Sequence, residues 1–115
     1  MTVTRVMPVV TVTDLAAAIA EHRAVLGLEV VMDHGWIATL ADADHRVQLS
    51  LMTVDQTAPC NPAVSIEVSD VDARYHAAID ASLEIVHPLS DEEWGVRRFF
   101  YRDSAGTVVN VLTHL

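Results

Sequence analysis

The feature that most constrains this chain is that it repeats itself. The stretch "VTDLAAAIAEHRAVLGLEVV", from Val12, is echoed by "VSDVDARYHAAIDASLEIV", from Val68. Asp14 matches Asp70, and "LEVV" from Leu28 matches "LEIV" from Leu83. Each copy reads as a strand, a Thr/Ser-Asp helix start, an amphipathic helix and a further strand. The helix starts have a physical reason: a short polar side chain accepts from the free amides of a first helical turn. Leu15, Ile19, His22 and Leu26 fall on one face of the first helix. Val71, Tyr75, Ala78, Ile79 and Ser82 fall on one face of the second. Gly27 supplies a C-terminal stop.

The remaining segments alternate with period two, which predicts strands with one face packed on the helices. Val47, Leu49 and Leu51 oppose Arg46, Gln48, Ser50 and Met52. Val64, Ile66 and Val68 oppose Ala63, Ser65 and Glu67. Val109 and Val111 oppose Val108, Asn110, Leu112 and His114. Val6, Val10 and Val12 oppose Arg5, Met7, Val9 and Thr11. In "RRFFYR", Phe100 shares its face with Arg98 and Arg102, while Phe99 and Tyr101 face the helices. The second face is mixed, neither plain solvent-polar nor plain core, and such a face suits the lining of a ligand cup.

The pattern predicts an α+β fold of two tandem βαβββ modules whose curved mixed sheet forms a cup. A chain of 115 residues is expected to make one domain. The first module covers about 1–54, a linker rich in turn formers about 55–61, and the second module about 62–115. "DHG" and "DADH" read as turns in the first module. "HPLSDEEWG" reads as a long acidic loop and "RDSAG" as the last hairpin in the second.

Composition excludes several function classes. Sixteen acids against seven Lys and Arg give a formal charge of −9, which argues against nucleic acid, because phosphate binding needs a cationic surface. An acidic surface favours cationic small molecules. The run "LAAAIA" is far too short to span a bilayer, and "MTVTRVMPVV" lacks the pattern of a signal peptide, so a cytoplasmic address is expected. The single cysteine, Cys60, lies in a loop without a neighbouring base or cation and reads as a spectator thiol. No Gly-rich phosphate loop or Gly-x-Ser-x-Gly turn is present.

Three long stretches carry a family resemblance: "PVVTVTDLAAAIAEHRAVLGLEVV", "VSIEVSDVDARYHAAI" and "WGVRRFFYRDSAGTVVNVL". In order and spacing the chain resembles the vicinal oxygen chelate superfamily, which includes glyoxalase I, extradiol dioxygenases, fosfomycin resistance enzymes and bleomycin resistance proteins. It departs from the family's last motif at Ser104, Ala105 and Thr107. The resemblance implies a divalent metal held by His, Gln or Glu from the first and last strands of each module. Those positions here are Met7, Gln48, Ala63 and Asn110. Met and Ala offer no hard donor, and Gln and Asn are uncharged, so no metal and no other cofactor is expected.

The resemblance also implies a homodimer, and exposed strand edges make pairing sensible. The leading expectation is a binder of a small, cationic and aromatic molecule, similar to the bleomycin resistance branch and hence to antibiotic resistance by capture. Its contacts would be Met7, Trp36, Gln48, Ser65, Glu67, Trp94, Arg98, Phe100 and Asn110. Trp36, Trp94 and Phe100 would stack on the ligand, with polar groups orienting it. Arg98 is expected to pair with Glu67. The alternative is a lyase, isomerase or dioxygenase of the same superfamily, working with Glu67 as a metal-independent base. Among the six histidines, His76 lies between Asp72 and Asp80 on an acidic helix face. His34, His45 and His87 sit beside turns, and His114 shares the face of Asn110.

Overall fold

A computed structural model of the chain describes residues 2–115; the first residue of the expected first module lies outside them. The described residues form β1 (Val3–Thr11), α1 (Leu15–Leu26), β2 (Glu29–Asp33), β3 (Ile37–Ala41), β4 (Gln48–Met52), β5 (Val64–Val68), α2 (Val71–Asp80), β6 (Glu84–Glu92), β7 (Val96–Arg102) and β8 (Val108–His114). The order is βαβββ twice, an α+β fold. No helix among the described residues is long and apolar enough to cross a membrane.

The chain divides into two compact units. One is Met7–Asn61; the other joins Met1–Val6 to Pro62–Leu115. The division falls inside β1, so the strand that opens the sequence contributes to both.

In the unit Met7–Asn61 the strand order is β2-β3-β4-β1. β1 runs parallel to β4, with Val9 opposite Ser50, and β3 runs antiparallel to β2 and β4. The core lies between α1 and one sheet face, where Leu15 and Ala18 meet Ala38, Leu40 and Leu51. Asp14 caps α1 by accepting from Ala17 N–H at 3.0 Å. Gly27 ends it in the left-handed region (φ 69°), donating its N–H to the Arg23 carbonyl. Leu26, expected on the packed face, is the last residue of α1 and is 52% exposed. Removing the cap by Asp14→Ala is expected to cost about 1 kcal/mol. Urea denaturation reads this directly, and no change in midpoint would mean the cap is not used in solution.

In the other unit the order is β1-β5-β8-β7-β6. β5 and β8 are parallel, with Ser65 opposite Asn110, and β7 is antiparallel to β8 and β6. Phe99, Val68, Val71, Ala78, Val109 and Val111 make the core under α2. Tyr101, Ile66 and Val64 pack at its edge, so the period-two reading assigns the faces of β5, β7 and β8 correctly, whereas on β1 Val6 and Val10, expected toward the helices, are exposed. Two expectations need correction here. Ser82 lies beyond α2, which ends at Asp80, and adopts a positive φ of 60° in the turn. Ile79 is 47% exposed rather than packed. Asp70 holds the N-cap position of α2 but makes no side-chain cap bond, and lies 3.5 Å from Arg74 instead.

A further correction concerns "HPLSDEEWG". Most of it is strand: β6 runs to Glu92, and the turn is confined to the next three residues. The register shifts at two places around His87, between Ile85 and Ser90. Pro88, which has no N–H to donate, falls in the irregular part of this edge strand, where a missing ladder bond costs little. Two acids of the segment, Asp91 and Glu92, are paired across the hairpin. Arg97 donates to both carboxylate oxygens of Asp91, at 2.6 and 3.1 Å. That hydrogen bonding holds the Asp91 carboxyl below its ordinary value near 3.8. Asp91 therefore favours the folded state above the carboxylate range, and this contribution fades as pH falls through its lowered pKa.

Candidate functional site

The face of β5, β8, β7 and β6 that points away from α2 carries a buried polar cluster. Arg98, on β7, is 4% exposed although it is charged. Its Nε donates to Glu92 Oε1 at 3.2 Å, and the same oxygen lies 2.9 Å from His87 Nε2. The three side chains come from facing strands of one hairpin, His87 and Glu92 from β6 and Arg98 from β7, five and six residues apart in sequence.

Aromatic rings flank this network. The Arg98 guanidinium carbon sits 4.9 Å from the centre of the Trp94 ring and 4.8 Å from that of Phe100. The His87 ring lies 5.3 Å from Phe100. A cation against two ring faces gains about 0.5–2 kcal/mol per contact, more where water is excluded. Phe100 is fully buried, whereas Trp94, at the hairpin tip, is 49% exposed. Trp94 is thus an exposed ring surface fixed in place by the guanidinium beneath it.

Beside Phe100, across the strand pair, lies Asn110. Its Nδ2 donates to Ser65 Oγ at 3.0 Å. Both residues are buried, at 7% and 9% exposure. The expected pairing of Arg98 with Glu67 does not form. Glu67 instead takes Arg5 at 3.1 Å and His114 Nδ1 at 2.8 Å, because β1 runs beside β5 and supplies Arg5 close to it. The Glu67 carboxylate thus has two partners. His114 is exposed and turned to Glu67.

The other sequence candidates lie in the unit Met7–Asn61. Met7 Sδ accepts from the Ser50 hydroxyl at 3.0 Å, and Ser50 also approaches the Thr39 hydroxyl at 3.4 Å. Gln48 Nε2 donates to the His45 carbonyl at 3.0 Å. Trp36 is half-buried just before β3, and its carbonyl accepts from Thr53 N–H at 2.9 Å.

The residues at the family's coordinating positions do not fit a divalent metal. Ala63 has no donor atom, the Met7 thioether is a soft donor taken by a hydroxyl, and Gln48 and Asn110, whose amide nitrogens donate to protein partners, offer only neutral amide oxygens. Register also refines the repeat: Ser50 faces Val9 as Asn110 faces Ser65, so Ser50 stands where the repeat would place an equivalent of Asn110. A neutral serine hydroxyl at that position does not improve the donor set. Among the described residues no three His, Cys, Asp or Glu side chains group as metal ligands. Asp72, on the acidic helix face, turns to Arg97 at 3.3 Å.

Sequence reading missed Glu92 and His87. The signal was present, since treating "HPLSDE" as a strand would have put both opposite β7. Its run of turn-forming and acidic residues masked it.

Comparisons with known proteins agree with this architecture. The family model described as Glyoxalase/Bleomycin resistance protein/Dioxygenase superfamily matches residues 3–111. A search of curated protein sequences finds no match. Among solved structures, a glyoxalase/bleomycin resistance protein/dioxygenase superfamily member from Vibrio splendidus 12B01 is 18% identical with a TM-score of 0.74; the alignment covers 97% of this chain and 99% of that one. Methylmalonyl-CoA epimerase from Mycobacterium tuberculosis is 21% identical with a TM-score of 0.69, covering 99% and 88%. A variant of Streptomyces coelicolor methylmalonyl-CoA epimerase, in complex with 2-nitronate-propionyl-CoA, is 20% identical with a TM-score of 0.73, covering 97% and 95%. At these identities the likeness establishes the fold.

Proposed function

The chain belongs to the glyoxalase/bleomycin resistance protein/dioxygenase superfamily, and from that premise we propose that it is a metal-free binder of a small, flat, cationic molecule. It acts by stoichiometric capture rather than by turnover. The observation that carries this reading is the stack of Trp94, Arg98 and Phe100, which ends in a half-exposed indole face. A flat ligand lying on Trp94 would extend the stack. The formal charge of −9 would draw a cationic ring toward it. An enzymatic reading with Glu67 as base loses support, because that carboxylate is paired with Arg5 and His114. The proposal includes a cytoplasmic homodimer that protects its host by sequestering a toxic compound. The edge position of β2, with Val30 and Val31 partly exposed, supports pairing between copies.

The test is a thermal-shift and Trp-fluorescence screen of planar cationic dyes and drugs, followed by mass spectrometry of the recovered ligand. The expected result is saturable binding with the ligand returned unchanged. Trp94→Ala is expected to weaken that binding about tenfold, the loss of one stacking contact. Affinity unaffected by Trp94→Ala, or a chemically altered ligand, would contradict the proposal.

A further inference from the structure

The face of the sheet under α2, opposite the polar cluster, carries an open apolar groove of about 290 Å3. It lies wholly within the unit that joins Met1–Val6 to Pro62–Leu115. Its cause is in the helix sequence. The first half of α2 sends Val71 and Tyr75 onto the core, whereas the second half lines the groove only with the methyl groups of Ala77 and Ala78. Facing these small residues are Ile66 and Val68 on β5, Phe99 on β7 and Val111 on β8, an apolar floor. Counted from the matched Asp14 and Asp70, the α1 residue equivalent to Ala78 is His22, so a larger side chain stands at that place in the first module.

Two residues of the lining carry donors without partners. Among the described lining residues Arg74 is the one charged side chain. Its Nε lies 3.5 Å from Asp70, with both side chains more than a third exposed, yet the guanidinium donates no hydrogen bond to a described residue. The hydroxyl of Tyr101, a half-buried side chain on β7, likewise has no hydrogen-bond partner among the described residues.

This combination has a defined complement. Ligand sites are apolar clefts with a few polar groups that fix orientation. The groove exceeds the roughly 150 Å3 at which an apolar cavity admits benzene. Donors without acceptors call for an acceptor, and a guanidinium favours an anionic one. The formal charge of −9 repels anions at a distance, but salt screens that repulsion beyond about 8–10 Å, so the local cation decides at contact.

We infer that the groove is a second binding site, for a medium-length acyl chain that ends in a carboxylate. The chain lies on Ile66, Phe99 and Val111, and the carboxylate meets Arg74. This site is independent of the capture proposed at Trp94, which uses the other face of the sheet.

The test titrates the full chain, 13C-labelled at its methyl groups, with sodium octanoate and follows Ile66, Leu83 and Val111 by NMR. Octanoate is expected to shift these methyls saturably, and decanoate to bind more tightly by about two- to fourfold per added methylene. Octylammonium, the same body with the opposite charge, is expected to bind there at least about tenfold more weakly. Arg74→Gln, at an exposed helix position, is expected to weaken octanoate about tenfold while the methyl spectrum of the free protein stays that of the folded chain. Equal binding of octanoate and octylammonium at these methyls, or an affinity for octanoate unchanged by Arg74→Gln, would overturn the inference. So would the absence of any shift at these methyls. None of these results touches capture at Trp94, which is read with planar cations and Trp fluorescence.

Discussion

Replacing Glu92 with alanine is expected to destabilise the protein by about 3–5 kcal/mol, the usual cost of breaking a buried ion pair from one side. Glu92 and Arg98 keep 13% and 5% of their side-chain surface exposed, so solvent screens their interaction little. His87 loses the same oxygen. Replacing both partners, in Glu92→Leu/Arg98→Met, is expected to cost much less, because the two buried charges are then removed together. Urea unfolding of the two variants measures the asymmetry. Comparable small losses, below about 1 kcal/mol for both, would place the pair in the class of surface ion pairs and undo its description as a buried network.

The second large effect is expected from Phe99→Ala, about 3–5 kcal/mol. Phe99 is 1% exposed and meets Tyr75 edge-on at 5.0 Å. It also lines an open apolar groove of about 290 Å3 with Ile66, Val68, Ala78, Leu83 and Val111. The control is Val6→Ala, at a side chain 56% exposed, with an expected effect within about 0.5 kcal/mol. A Phe99 loss close to that of the control would mean that the core under α2 is not packed as described.

Much of this fold was legible because its signals are local. The repeated Asp starts, the stop at Gly27 and the alternation of Val109, Asn110 and Val111 each follow from a periodicity that one segment carries alone. The parity of "RRFFYR" correctly separates Phe99 from Phe100. The site was less legible because its contacts depend on register between strands. Arg98 could be placed on its face by parity, yet its partner is Glu92 and not Glu67. That choice was settled by the hairpin of β6 and β7 and by Arg5 arriving on β1. His87 was hidden for a related reason: Pro88, Ser90 and the acids after it read as a loop, although bulges accommodate them in an edge strand. The groove under α2 could not be read from sequence at all, since it depends on how closely Ala77 and Ala78 approach the sheet.

On the proposed reading, the family's coordinating positions in this chain serve recognition of an organic molecule rather than of a metal. The most direct test of this claim is calorimetric titration of untagged, chelator-free protein with nickel, zinc, manganese and ferrous iron, together with metal analysis of the purified chain. No stoichiometric metal and no saturable binding heat are expected. A tightly held metal near one per chain, lost on Asn110→Val, would contradict the claim and return the protein to the superfamily's metal-dependent chemistry.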